Sequence, residues 1–211
     1  PMDEWFIDGL VGGSQKAFML PTGLALISFS TKAWSVIEKA TCPRFYFDIR
    51  LEKKANQNGE THFSSPVTLM RPLDVVLQMV LEKGLPQHYH EISQRAMITR
   101  EWATAMGLKL FSKAPSSSVT GIEVPPEVDS QKLRLLLEQK YRITIMGGQD
   151  QLKGKIIRIG HMGHIPPSDL FHLFEALTET FLDMSPSSFQ KIDTSKNLKD
   201  TQKWISTHLA P

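Results

Sequence analysis

Two consecutive helices in the middle of the chain separate two stretches of a different character. Leu73, Val76, Leu77, Val80 and Leu81 recur at helical spacing behind Pro72, and the pattern predicts a helix from Pro72 to Gly84. A second, longer helix is expected from about Pro86 to Met106, stopping at Gly107. On both sides the apolar residues fall instead into short runs broken by turn signals. Ile7–Val11 looks like a buried strand ending at Gly12-Gly13, and Leu24–Phe29 is a second strand after the Pro21-Thr22-Gly23 turn. Ser30 then caps a helix over about Thr31–Ala40, with Trp34, Val36 and Ile37 as its apolar stripe, and Asn56–Gly59 is a polar loop. After Gly107, strands are expected at Leu108–Phe111, Val119–Val124, Ile143–Met146 and Lys155–Gly160. A helix opened by Asp129 carries Leu133, Leu136, Leu137 and Tyr141 on one side. Another, started by Pro166-Pro167-Ser168, turns Leu170, Phe171, Phe174, Leu177 and Phe181 inward.

The organisation that follows is an α/β segment over residues 1–84, a linking helix over 85–107, a small two-layer α+β domain over 108–183, and a polar tail over 184–211. The tail is rich in Ser, Thr, Lys and Asp, and is expected to be mostly exposed, with Trp204 and Ile205 able to dock. No basic n-region or apolar h-region precedes the first strand, and the chain opens on Pro1 as if in the middle of a fold.

Composition narrows the function classes. With 24 basic against 22 acidic residues the net charge is +2, without the excess that binding to phosphate backbones requires, so no nucleic-acid partner is expected. The one cysteine, Cys42, excludes an intrachain disulfide framework and a Cys-rich zinc site. No apolar run approaches the ~18 residues that span a bilayer, so no membrane is expected and a cytoplasmic setting is the simplest. The His161-x-x-His164 pair lacks the helical spacing and glutamate of a zincin, and no metal site is expected. Gly147-Gly148-Gln149-Asp150 is not followed by Gly-Lys-Ser/Thr and is not a P-loop.

Two residues could carry chemistry. Lys16 follows Gly12-Gly13-Ser14-Gln15 at the end of an apolar strand and precedes Ala17-Phe18-Met19-Leu20. A lysine wrapped in small and apolar neighbours is partly desolvated, which favours the neutral amine needed for a Schiff base. Ser14 and Gln15 offer polar groups suited to a phosphate or a ring, and the glycines allow close backbone approach. The alternative is a surface lysine after a tight turn. Arg158 stands in Ile156-Ile157-Arg158-Ile159-Gly160, where its planar fork suits a carboxylate or phosphate. The alternative is that strand alternation points it to solvent.

Taken together these segments resemble the class V aminotransferases, a branch of the fold-type I pyridoxal-phosphate enzymes. The likeness is to the alanine–glyoxylate and serine–glyoxylate aminotransferase group, with its soluble-hydrogenase small-subunit homologues. The motifs are Asp3–Asp8, Gly13-Ser14-Gln15-Lys16-Ala17, Leu20–Ala25, Ile145–Gly148 and Gly154–Gly163, and the resemblance runs over about residues 3–182. It implies the C-terminal part of a fold-type I transferase with a small α+β domain, and pyridoxal 5'-phosphate as cofactor. The substrates implied are an amino acid and a 2-oxo acid, with glyoxylate the acceptor, and the intact enzyme would be a homodimer. By resemblance Lys16 is the Schiff-base lysine, Ser14 and Gln15 lie at the cofactor, and Arg158 clamps the substrate carboxylate. Thr61-His62-Phe63-Ser64-Ser65-Pro66 would reach the partner subunit's cofactor phosphate through Thr61 and Ser64.

The family's aspartate at the pyridinium nitrogen and its glycine–serine–histidine phosphate segment lie upstream of the lysine, and neither is in this chain. The lone chain is therefore expected to bind the cofactor poorly and to be inactive, with unpaired edges on its first strands. The alternatives are a non-catalytic or split subunit that partners a separately encoded N-terminal half, and a lyase of the same superfamily. A desulfurase would need a cysteine in the small-domain half, and Cys42 lies too early.

Overall fold

In the computed structural model, which describes residues 1–209, Gly9–Gly13 (β1) and Ala25–Phe29 (β2) pair as an antiparallel hairpin in the register Gly9↔Phe29 to Gly13↔Ala25. Neither strand carries a charge. Helix α1 (Thr31–Ile37) is capped as expected: Ser30 Oγ accepts from the Ala33 N–H at 3.0 Å, and donates to Asp8 at 2.7 Å. It ends three residues earlier than the apolar stripe predicts. A helix that the sequence reading did not name, α2 (Ile49–Asn56), starts on Asp48. The Arg50 guanidinium, with Arg44 behind it, holds the Asp48 carboxyl well below the usual carboxylate range. Helix α3 (Val67–Lys83) begins one turn before the expected start and keeps Pro72 inside it. Proline there removes one donor from the ladder, and a chain entering from Pro66 tolerates it near the first turns.

These elements make up the first of two units, Pro1–Glu82; the second runs from Lys83 onward. It opens on Gly84, whose φ of 86° suits glycine, and continues into α4 (Leu85–Ala105). The helix expected as a linker is instead the centre of this unit's core. Ile98, Trp102 and Ala103 are buried, and Trp102 stacks on Phe174 at 5.2 Å while its indole N–H donates to Thr178 Oγ1 at 3.2 Å. Three strands form an antiparallel sheet in the order β3 (Val119–Glu123), β5 (Ile156–Gly160), β4 (Met146–Gly147). Thr120, Ile122, Ile157 and Ile159 turn into the core, against α4 and the helices α5 (Ser130–Tyr141) and α6 (Pro167–Met184). Asp129 caps α5 through the Gln131 N–H at 2.8 Å.

Three expectations are corrected. Residues 108–111 make a single bridge, Leu110↔Ile122, rather than a strand. The strand expected at 143–146 is only Met146–Gly147, and the Ile145 carbonyl beside it is bonded by the Arg134 side chain at 2.9 Å. Within the expected tail, residues 184–209 are not an exposed polar segment: α7 (Pro186–Phe189) and α8 (Thr194–His208) dock on the core. Leu198, Thr201 and Ile205 share one face of α8, and Asn197 donates to the Trp102 carbonyl at 3.3 Å, so the charged residues lie outward while Thr201 and Asn197 are accommodated on the inner side. Among the described residues no helix is long and apolar enough to cross a membrane.

Trp102 anchors this core, so Trp102→Ala is expected to lower the stability of the second unit by about 3–5 kcal/mol in urea unfolding. Trp102→Phe, which keeps a ring against Phe174 and loses only the indole donor, costs about 1–2 kcal/mol, or the stacking account is wrong.

Candidate functional site

Ser14 is the hub of the loop that follows β1. It is fully buried; its N–H donates to the Leu24 carbonyl and its carbonyl accepts from the Leu20 N–H, both at 3.0 Å. Its hydroxyl donates to the Pro21 carbonyl at 2.7 Å and accepts from the Leu24 N–H at 3.3 Å. A hydroxyl engaged as donor and acceptor organises the loop from inside, and with Ser14 fully buried it is the backbone of the turn that the residue fixes. Gln15 folds back over Gly13: a Cβ placed on Gly13 would lie 2.6 Å from its Oε1, and the exposed Gln15 amide would have to swing aside. Lys16 opens a turn closed by the Met19 N–H on its carbonyl at 3.0 Å.

The Lys16 side chain is exposed and has no hydrogen bond or ion pair with a described residue. The partial desolvation expected from its neighbours is not realised in this chain. Phe18 and Met19 are only half-buried, and on the strand leading into the turn Val11 is 71 % exposed. Thr61 and Ser64 share one exposed loop before α3. Thr61 Oγ1 lies 2.5 Å from both the Phe63 carbonyl and Ser65 Oγ, whereas the Ser64 hydroxyl is unengaged among the described residues.

Arg158 lies in the second unit. Its register partners are Gly121 on β3 and Met146 on β4, on the face of the sheet opposite the helices. The strand alternation therefore does point it away from the core, but not freely into water: it is half-buried, and its Nε donates to the Gly147 carbonyl at 2.8 Å. It opens on a cleft of about 480 Å³ shared with Met146, Asp169 and His172. Its two terminal nitrogens have no hydrogen-bond partner among the described residues.

The far end of β5 is pinned from α4. Arg95, only 5 % exposed, donates through one terminal nitrogen to the carbonyls of His161 and Gly163, both at 2.9 Å, and pairs with Glu91 at 3.3 Å. His161 is fully buried with Nε2 at 2.8 Å from Thr120 Oγ1, and its Nδ1 has no partner. Sequence reasoning missed Arg95, although Glu91 and Arg95 stand four apart on the helix face that leads to Ile98 and Trp102. It also missed Arg134, for which no local signal exists.

No family model matches the chain. Curated relatives do. It is 34 % identical over 191 residues to a soluble hydrogenase small subunit of Synechococcus, covering 90 % of this chain and 50 % of that one. Over 171 residues it is 36 % identical to a serine–glyoxylate aminotransferase of Methylorubrum extorquens, covering 77 % of this chain and 42 % of the relative. Among solved structures it matches the ureidoglycine–glyoxylate aminotransferase of Bacillus subtilis with a TM-score of 0.85 at 25 % identity, over 96 % of this chain and 54 % of that one. Over most of its length the chain is similar to one half of the class V aminotransferases. It spans about half the length of the curated relatives it matches and corresponds to the C-terminal part of the fold-type I transferase fold.

His161 gives this aminotransferase half a marked pH dependence. Burial, reinforced by the charges of Arg100 and Arg95, pushes its imidazole from 6.5 down to about 4. Between those values the unfolded chain takes a proton that the folded chain refuses, so stability falls as pH drops from about 6.5 to 4. The contribution is ~3 kcal/mol. Urea midpoints at pH 7, 5.5 and 4.5 should fall steeply for the wild type and less so for His161→Asn. Parallel curves for the two would contradict a neutral buried ring.

Proposed function

We propose that this chain is the lysine- and arginine-bearing half of a pyridoxal 5'-phosphate-dependent aminotransferase. It moves an amino group between an amino acid and a 2-oxo acid, with glyoxylate as acceptor. The observation that carries the reading is Lys16, a primary amine without a partner among the described residues, on a turn braced by the buried Ser14. Relatives that act on glyoxylate support the acceptor.

The donor set fits the cofactor. Lys16 Nζ is the amine that would hold it, and the exposed amide of Gln15 meets its phosphate, joined across a homodimer interface by the hydroxyls of Thr61 and Ser64. Ser14 takes no part beyond fixing the turn. When bound, the cofactor supplies an aldehyde and an electron-withdrawing ring. Once the substrate amine displaced it from the cofactor, the freed Lys16 Nζ would be the group that takes the proton from the substrate α-carbon and gives it back on the other side of the transfer. Arg158 offers its two terminal nitrogens to the substrate carboxylate end-on, since its Nε is engaged at Gly147. The Lys16 side chain is exposed in this chain, so turnover would need the turn to be covered and water excluded from it.

A second reading has its own support. Leu10, Val11 and Ile27 are exposed on an uncharged hairpin, and Val75, Met79 and Leu81 are exposed on α3. A separately encoded N-terminal half would cover such a surface, and the two polypeptides would co-purify in a 1:1 complex.

The lone chain is expected to bind the cofactor weakly and to turn over no substrate. Incubation with excess pyridoxal phosphate, borohydride reduction and peptide mapping should place the added mass chiefly on Lys16, and Lys16→Arg should lose it. Label spread evenly over the exposed lysines would refute the assignment of Lys16. Full transamination by the chain alone would refute the requirement for a covering half.

A further inference from the structure

β4 is the shortest strand of its sheet and lies at an edge, where unpaired carbonyls need partners. The carbonyls on either side of Met146 point the same way, because the backbone alternates with period two. Both are taken by arginine Nε groups. Arg134, reaching from α5, donates to the Ile145 carbonyl at 2.9 Å, and Arg158, reaching across the ladder from β5, donates to the Gly147 carbonyl at 2.8 Å. The Arg134 guanidinium also fills the space in front of Gly147: a Cβ built there would lie 3.0 Å from its terminal nitrogen. One arginine thus fixes the strand on which the other is oriented.

We propose that Arg134 is a positioning residue for Arg158. By anchoring the β4 edge at Ile145 and packing on Gly147, it sets the carbonyl that aims the Arg158 guanidinium. The end of the fork is thereby left free for a carboxylate-bearing ligand. The inference rests on the reading of Arg158 as the carboxylate contact, and it adds the reason for that residue's orientation. The first glycine of Gly147-Gly148 is then explained by the arginine it accommodates. The second answers to a different constraint, because a Cβ on Gly148 would fall 2.0 Å from the Leu152 carbonyl oxygen. The spacing between Arg134 and Gly147 belongs to the helix–strand packing, so neither residue announces the other in the sequence.

The test uses the full chain with 15N-labelled arginine. The Arg158 Nε–H, identified by its loss in Arg158→Lys, should be protected from solvent exchange in the wild type. Arg134→Lys should speed that exchange about three- to tenfold, the range expected for loss of one hydrogen bond's support, with the thermal midpoint little changed. It should weaken titrated glyoxylate by a similar factor. Gly147→Ala should do the same from the other side, by displacing the Arg134 head. Unchanged Arg158 exchange in both variants overturns the coupling. If Arg158→Lys leaves the glyoxylate titration unchanged, the carboxylate reading of Arg158 falls, while the exchange data still decide whether Arg134 positions it.

Discussion

The alternation of β5 is the constraint on which the second unit depends. Ile157 and Ile159 are buried against the helices, and each contributes on the order of 1.5–3 kcal/mol by leaving water. A slip of one residue would exchange that pair for Arg158, so the register is held by the core and not by any ligand. Everything useful about Arg158 follows from being the odd residue in this strand. It shares its face with Gly121 and Met146, and it reaches the β4 edge. The strand's exit is tied to α4 through Arg95, which needs both backbone carbonyls and Glu91 to be tolerable in the interior.

The two units differ in how they meet the demands of a site. The second has a continuous core from Trp102 through Phe174 and Phe181 to Ile205. The first buries few large side chains, with Leu20 and Val76 its only buried apolar residues among those described. Its Lys16 turn is nonetheless well defined, because Ser14 satisfies four hydrogen bonds from inside the loop. Rigidity and dryness are separate properties. The turn has the first from its own hydrogen bonds, and the second must come from whatever packs on the apolar hairpin.

Legibility in the sequence divides along the same physical line. Elements whose signals are local were readable: Ser30 and Asp129 are caps where they were expected, and the inward set of α6 follows its spacing. Elements decided by distant partners were not. The chain over 143–145 is bonded by groups on α5, Leu137 and Arg134, and the C-terminal segment packs beside Trp102. The composition of that segment misled because it reports the outer face of α8; Trp204 and Ile205 were the residues that signalled docking, and Thr201 gave no such signal. The expectation of a desolvated Lys16 erred for a related reason. Small and apolar neighbours in sequence desolvate an amine only where they close over it, and Val11 and Phe18 do not.

The arginines differ in how much of each guanidinium the fold leaves open to a ligand. A guanidinium has five donors in a fixed plane. Arg95 commits one terminal nitrogen to two carbonyls and the other to a carboxylate, so its fork is closed. Arg134 commits Nε to Ile145 and presses its head against Gly147. Arg158 commits Nε alone, which fixes the plane of the fork but leaves its end unoccupied beside a cleft. An arginine held by its Nε loses less side-chain freedom on binding a carboxylate than one that swings in solvent, since the orientation is already set by the fold. The same bond that stabilises a two-residue edge strand therefore preorganises the guanidinium, and the cost of its orientation is met by folding rather than by the ligand.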